Sequence, residues 1–221
     1  MPADEPTAGA SAGVLTGKKR GSLAAVGRLR TFQALQHRDY RFLWLGQCGY
    51  SIAVWGESIA RGWLVYDMTG SASALGLVSM LRSIPMLLLG LLAGVVADRF
   101  DKRKVLMICQ TATMLNLLLL SILLMTGTVQ VWHIMVTTFF MGCSLAFIMP
   151  ARQSLIPFLV GKENTSNAVA LSSAAMNVNR IIGPSLAGAL IKPIGTGGVY
   201  VSITAVYVFI IATTIMMRIP P

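Results

Sequence analysis

Acidic side chains are scarce in this chain. There are 8 Asp and Glu against 18 Lys and Arg, and all charged residues together make up 12% of the sequence. Soluble domains carry roughly twice that share, so a large water-facing surface is excluded. Metal-binding patterns are also missing. Cys48, Cys109 and Cys143 each lie within an apolar stretch, with no C-x-x-C pair and no His or acid at ligand spacing. They read as small buried apolar residues. The histidines are His37 and His133 alone, and neither an H-E-x-x-H nor a G-x-S-x-G segment occurs. Gly161-Lys162-Glu163 is not a phosphate loop, because no Gly stands five residues earlier and no Ser or Thr follows the lysine. Asn164-Thr165-Ser166 fits a glycosylation sequon but falls on the expected cytoplasmic side. Enzymatic chemistry, a metal and an organic cofactor are therefore not expected. The net charge of +10 is confined to particular loops, so membrane topology accounts for it better than nucleic acid does.

What the chain has is apolar length. Six runs, at about 42–66, 75–97, 105–126, 129–149, 167–191 and 199–217, each approach the ~20 residues that cross a hydrocarbon core as a helix. Backbone in lipid must satisfy its own hydrogen bonds, and barrel strands would be about half as long, so helices are predicted. Residues 1–30 lack the apolar core of a secretory signal and read as a disordered basic cytoplasmic tail. Residues 31–41 read as an amphipathic lead-in at the membrane surface. Lys18, Lys19, Arg20, Arg28, Arg30, Arg38, Arg41, Arg99, Lys102, Arg103, Lys104, Arg152, Lys162 and Arg218 fall on one side, and Lys192 falls on the other. The positive-inside rule then puts both termini in the cytoplasm of a multi-pass protein, with a lipid bilayer as its first partner. Small residues such as Gly90, Ala93 and Gly94, or Gly183, Ala187 and Gly188, are spaced for close helix contact.

Arg82, Pro85 and Leu92-Ala93-Gly94 in the second run are echoed by Arg180, Pro184 and Leu186-Ala187-Gly188 in the fifth. The two helices run in opposite directions, as a three-plus-three inverted repeat would require. The loop after the second run reads Gly94-Val-Val-Ala-Asp98-Arg99-Phe-Asp101-Lys102-Arg103-Lys104. Its arginine sits beyond the negative end of a helix, where Asp98 can hold it.

This loop resembles the signature between helices 2 and 3 of the major facilitator superfamily, with Asp101 where that family usually has a glycine. The resemblance implies an all-α fold, the N-terminal six-helix half of a transporter, with Gly94, Asp98, Arg99, Lys102 and Arg103 forming a conformational latch. Gly183, Pro184 and Gly188 are similar to part of a helix 5 motif of the family's antiporters and imply a bend. His37-Arg38-Asp39-Tyr40-Arg41, Trp63 to Ser71 and Pro150-Ala151-Arg152-Gln153 resemble the branch that holds the enterobactin exporter and macrolide efflux proteins. That resemblance covers about residues 32–220 and implies proton-driven export of siderophores or drug-like molecules from the bacterial inner membrane. Thr138 stands where the family often has a proton-linked arginine, so proton coupling rests on kinship alone.

Four ionisable residues fall inside the predicted spans, and such residues default to functional hypotheses. Glu57 and Arg82 lie roughly 22 Å, Arg180 about 20 Å and Arg61 roughly 28 Å from the cytoplasmic ends of their helices. Glu57 and Arg61 can pair at i, i+4. Arg82 and Arg180 then lack an obvious acid, and are expected either to line a central cavity and attract an anionic substrate or an acid from the missing half, or to bracket helix-end carbonyls. Asn177, and after it Asn179 and Asn116, are candidate pathway or helix-joining residues. Twelve helices are usual in the resembling family, so the chain reads as a fragment ending near 218–221, or as a homodimerising half. A non-transporting membrane subunit or inactive half-transporter is the rival reading, and uptake is the rival within transport.

Overall fold

The computed structural model describes residues 33–217, apart from the side chains of Gln33, Leu91, Val95, Ala97 and Asp98. The expected tail over 1–30 and the end at 218–221 lie outside the described residues. Among the described residues every regular element is helical. A 3-10 turn, Gln33–Gln36, precedes α1 (Arg38–Thr69), α2 (Ala72–Arg99) and α3 (Lys102–Met125). One further run, Val131–Met216, completes the chain.

That last run is 86 residues long and cannot be one straight rod. At ~1.5 Å per residue it would reach ~130 Å, about four hydrocarbon thicknesses. It is broken at Gly161 (φ 74°, ψ 166°) and Gly195 (φ 70°, ψ 172°). That corner of backbone space is essentially open to glycine alone. The breaks divide the run into α4 (131–160), α5 (162–194) and α6 (196–216). Long-range contacts show the reversals. Tyr40 at the start of α1 donates its hydroxyl to the Ala168 carbonyl near the start of α5, at 2.8 Å. Arg103 at the start of α3 reaches the Thr214 and Ile215 carbonyls at the end of α6. Gly197 at the start of α6 abuts Met125 at the end of α3.

The shorter turns follow from capping chemistry. Gly70 takes the left-handed conformation (φ 62°) and donates to the Tyr66 carbonyl, which closes α1. Ser71 then caps α2 by accepting from the Ala74 amide. Asp101 accepts from the amides of Arg103 and Lys104 and so starts α3. Its own φ is −59°, so the turn has no need of the glycine that the resembling family places there.

Among the described residues many large apolar side chains face outward, and several polar ones are buried within the apolar core. Leu87, Leu88, Ile108, Phe158 and Ile181 are exposed, while Gln47, Ser51, Glu57, Arg61, Gln110, Arg152 and Asn179 are buried. This distribution suits lipid, where polar groups must find partners within the protein. Three runs, Ala72–Gly90, Lys102–Met125 and Val131–Met216, are long and apolar enough to cross a membrane.

Close crossings decide the packing. Glycine at 46 and 49 lets α1 meet Thr213 and Ile210 of α6, and Gly56 faces the Gly183 carbonyl of α5. Gly142 of α4 lies against the Arg82 carbonyl and Pro85 of α2. By contrast, a Cβ at Gly90, Gly94 or Gly188 would meet nothing within 4 Å. The expected close contacts at those three glycines are therefore not made within the described residues, because the helices are rotated so that other glycines face their neighbours. In the segment expected as an amphipathic lead-in, Ala34 and Tyr40 are fully buried while Gln36, His37, Arg38 and Arg41 are exposed.

Candidate functional site

Glu57 is the centre of the buried charge. It is 2% exposed and accepts from two arginines. Arg61 Nε donates to Oε1 at 2.9 Å, across the single helical turn that the i, i+4 spacing predicts. Arg82 Nη1 donates to Oε2 at 3.2 Å and to Ser58 Oγ at 2.8 Å. The expectation that Arg82 lacks an acid in this chain is therefore corrected. The two helices lie antiparallel, so residues 25 apart in sequence come level with each other. One carboxylate faces two guanidiniums, which leaves the cluster with an excess positive charge. Glu57 also lines a small space with Asn116, Thr137, Thr138 and Tyr200. Asn116 also joins helices there, donating to the Thr137 carbonyl at 2.7 Å.

Arg82 marks the boundary between this cluster and an open cleft of about 440 Å³ between α1, α2, α4 and α5. Asn177 and Arg180 of α5 line the same cleft, with Tyr50, Trp55 and Ser58 of α1 opposite. The Arg180 guanidinium lies over the Trp55 ring, 4.8 Å from its centroid. A cation held over an aromatic face keeps its charge available on its other side. No acid is among the described residues that line the cleft. Of the five candidate pathway residues, Arg82, Asn177 and Arg180 thus share one cavity. Glu57 and Arg61 lie behind it in the bundle interior. Asn179, two residues from Asn177, serves packing instead and donates to the Cys48 carbonyl at 3.2 Å.

The latch candidates separate on inspection. Arg103 is a bracket, with Nε 3.2 Å from the Thr214 carbonyl and Nη2 2.6 Å from that of Ile215, where the end of α6 favours a cation. Lys102 sits over the Phe158 ring at 4.6 Å and ties α3 to α4. Arg99 is exposed, Gly94 meets no other helix, and the side chain of Asp98 lies outside the described residues. In α5, helical backbone continues through Pro184, since the non-helical residues of that run are Gly161 and Gly195. Gly183 instead makes the crossing with α1, where an added Cβ would come within 2.8 Å of the Ile52 carbonyl.

Arg152 was not singled out as a site residue by sequence reasoning, which placed it in a loop beyond residue 149. Helix α4 continues through residue 160 and carries Arg152 into the bundle, where it is 5% exposed. Nη1 donates to Gln47 Oε1 at 2.8 Å, and the guanidinium lies 4.8 Å from the centroid of the Tyr50 ring. A signal existed in α1: Gln47, Ser51 and Ser58 lie near helical spacing within an otherwise apolar run.

A family model described as transmembrane secretion effector matches residues 29–220. The chain is similar to the Staphyloferrin A transporter of Staphylococcus aureus (strain NCTC 8325 / PS 47), with 33% identity over 138 residues, covering 62% of this chain and 35% of that protein. It is similar to Macrolide efflux protein A of Streptococcus pyogenes, with 26% identity over 148 residues, 67% of this chain and 36% of that protein. It is also similar to the Multidrug efflux pump Tap of Mycolicibacterium fortuitum, with 28% identity over 142 residues, 62% of this chain and 35% of that protein. In each case the matched stretch spans about a third of the relative's own length.

Proposed function

The chain belongs to the transmembrane secretion effector family of the major facilitator superfamily, and from that premise we propose that it forms one six-helix half of an exporter of small anionic organic molecules. The observation that carries the reading is the cleft walled by Arg82, Asn177 and Arg180, whose described lining holds no acid. Substrates of siderophore or drug-like type are suggested by the relatives, which include the Staphyloferrin A transporter, a macrolide efflux protein and a multidrug efflux pump.

In this reading all six helices cross the membrane, and both termini lie in the cytoplasm of a bacterial inner membrane. A three-plus-three inverted repeat is supported by two matching crossings. Gly56 of α1 meets the Gly183 carbonyl of α5, and Gly142 of α4 meets the Arg82 carbonyl of α2. A second six-helix body, in the same polypeptide or in a second copy, completes the cavity. The two bodies rock about it to give alternating access. Asp98 and Arg99 act as the latch at the basic end, supported by α3 through the brackets at Lys102 and Arg103. Export is driven by protons. Glu57, the buried carboxylate beside the cleft, is paired with Arg82, and a substrate anion at Arg82 competes for that pairing.

The test uses the full-length protein in everted and right-side-out vesicles, with carboxylate-bearing siderophores and macrolides offered in turn. Export predicts uphill accumulation in everted vesicles, and a fall of about tenfold or more for anionic substrates in the Arg82→Gln/Arg180→Gln double variant. Full transport of an anionic substrate by that variant removes the cleft from the mechanism. Accumulation in right-side-out vesicles alone reverses the direction to uptake, and no accumulation in either points to a non-transporting subunit.

A further inference from the structure

A guanidinium stays protonated inside proteins, so Arg152 is a fixed positive charge. It is 5% exposed, and its Nε has no hydrogen-bond partner. Among the described residues no carboxylate lies within ion-pair distance of it, since the two ion pairs there both belong to Glu57. Its contacts are one amide oxygen, from Gln47, and one aromatic face, from Tyr50. Burial of a charge with no counter-charge is strongly unfavourable and calls for a partner.

The space beside it supplies a place for one. Arg152 lines a cavity of about 320 Å³ between α1, α4 and α5. Most of that wall is apolar, with Leu43, Ile156 and Val169 prominent. The polar exceptions include Gln153 and Ser173. No acid is among the described lining residues. Met149 and Met176 wall both this cavity and the cleft of Arg82 and Arg180, so the two are neighbours along one path. Gln47 and Ser58 mark their levels on α1, eleven residues apart, or ~16 Å along the helix.

We propose that the pocket around Arg152 is a second anion-binding station, which takes a carboxylate carried on an apolar organic body. Its purpose rests on the transport reading above, but its binding chemistry is measured without transport, so either can fail alone. Arg152 holds the acid group, and Leu43, Ile156 and Val169 cover the body. A substrate entering from the basic end of the bundle meets this station before the deeper cleft. The shared chemistry has a second source, because an acidic side chain from the rest of the protein could reach Arg152 instead.

Benzoate and benzamide form a matched pair of probes, alike in shape and different in charge. Their binding to the purified full-length protein is titrated by ligand-observed NMR at constant ionic strength, alongside thermal unfolding without ligand. The Arg82→Gln/Arg180→Gln background removes the cleft's own hold on anions, and there the proposal expects benzoate to bind about tenfold or more tighter than benzamide, a preference lost on adding Arg152→Met and largely kept on adding Arg152→Lys. It also expects Arg152→Met to unfold at a higher temperature than the wild type, because an uncompensated buried charge is gone. Equal binding of the two probes by the wild-type protein overturns the station even if Arg152→Met fails to fold. A preference that vanishes in Arg82→Gln/Arg180→Gln alone, or that survives there when Arg152→Met is added, overturns it as well. No preference together with earlier unfolding of Arg152→Met assigns the arginine to an acid of the protein itself.

Discussion

Charge balance at Glu57 makes a sharp prediction. The carboxylate is 2% exposed and is the one acid bound to both Arg61 and Arg82. Glu57→Gln keeps the shape and removes the charge, so two guanidiniums, 8% and 13% exposed at their side chains, lose their counter-ion together. Removal of one member of a buried pair costs about 3–5 kcal/mol. Arg61→Met takes the other direction, since it leaves the Glu57–Arg82 pair intact and the cluster neutral. It is expected to cost no more than about 1–2 kcal/mol, mainly one charge-assisted hydrogen bond. The double variant Glu57→Gln/Arg61→Met is left with Arg82, which still has Ser58 Oγ at 2.8 Å and borders the open cleft. It should therefore be more stable than Glu57→Gln alone, with a coupling of about 1–3 kcal/mol. Unfolding of the full-length protein in detergent, followed by tryptophan fluorescence, gives the four stabilities. A Glu57→Gln protein as stable as the wild type, or a double variant no more stable than Glu57→Gln, would refute the charge argument.

The remaining predictions concern single contacts. Gly183→Ala places a Cβ 2.8 Å from the Ile52 carbonyl and should destabilise by about 1–3 kcal/mol. Gly188→Ala, with open space around it, should not destabilise in the same unfolding assay. Gly195→Ala forces a side chain into a glycine-only conformation, at a cost of about 1–3 kcal/mol in that assay. Tyr40→Phe removes the hydroxyl bond to the Ala168 carbonyl and should cost about 0.5–1.5 kcal/mol. It should also speed amide exchange at the start of α5 (hydrogen–deuterium exchange reads this directly). Asp101→Ala removes the cap of α3 and should cost about 0.5–2 kcal/mol, again by unfolding.

Much of the fold was legible along the chain. Apolar run lengths pointed to helices, whose ends the caps at Gly70, Ser71 and Asp101 extend by a few residues beyond the apolar runs. Glu57 and Arg61 were legible as a pair because both partners sit on one helix, where spacing alone sets their distance. Arg82 and Arg152 were not, because their partners lie on α1, 25 and 105 residues away. Glycine spacing likewise marked Gly90, Gly94, Gly183 and Gly188 as contact residues; of these Gly183 meets a neighbouring helix and the other three do not, while Gly56 and Gly142, which spacing did not mark, do.

The division has a physical cause. Sequence by itself determined what each stretch can be: an apolar run in lipid must be a helix, a loop rich in Lys and Arg must stay at one surface, and the loop after α2 carries the pattern of its superfamily. Tertiary structure alone decided which face of each helix turns inward. That rotation is set jointly by all the helices through side-chain fit, and it has no signature within any one of them. It put Arg82 between Glu57 and the cleft, set Arg180 over Trp55, and buried Arg152 in a pocket whose described walls hold no acid.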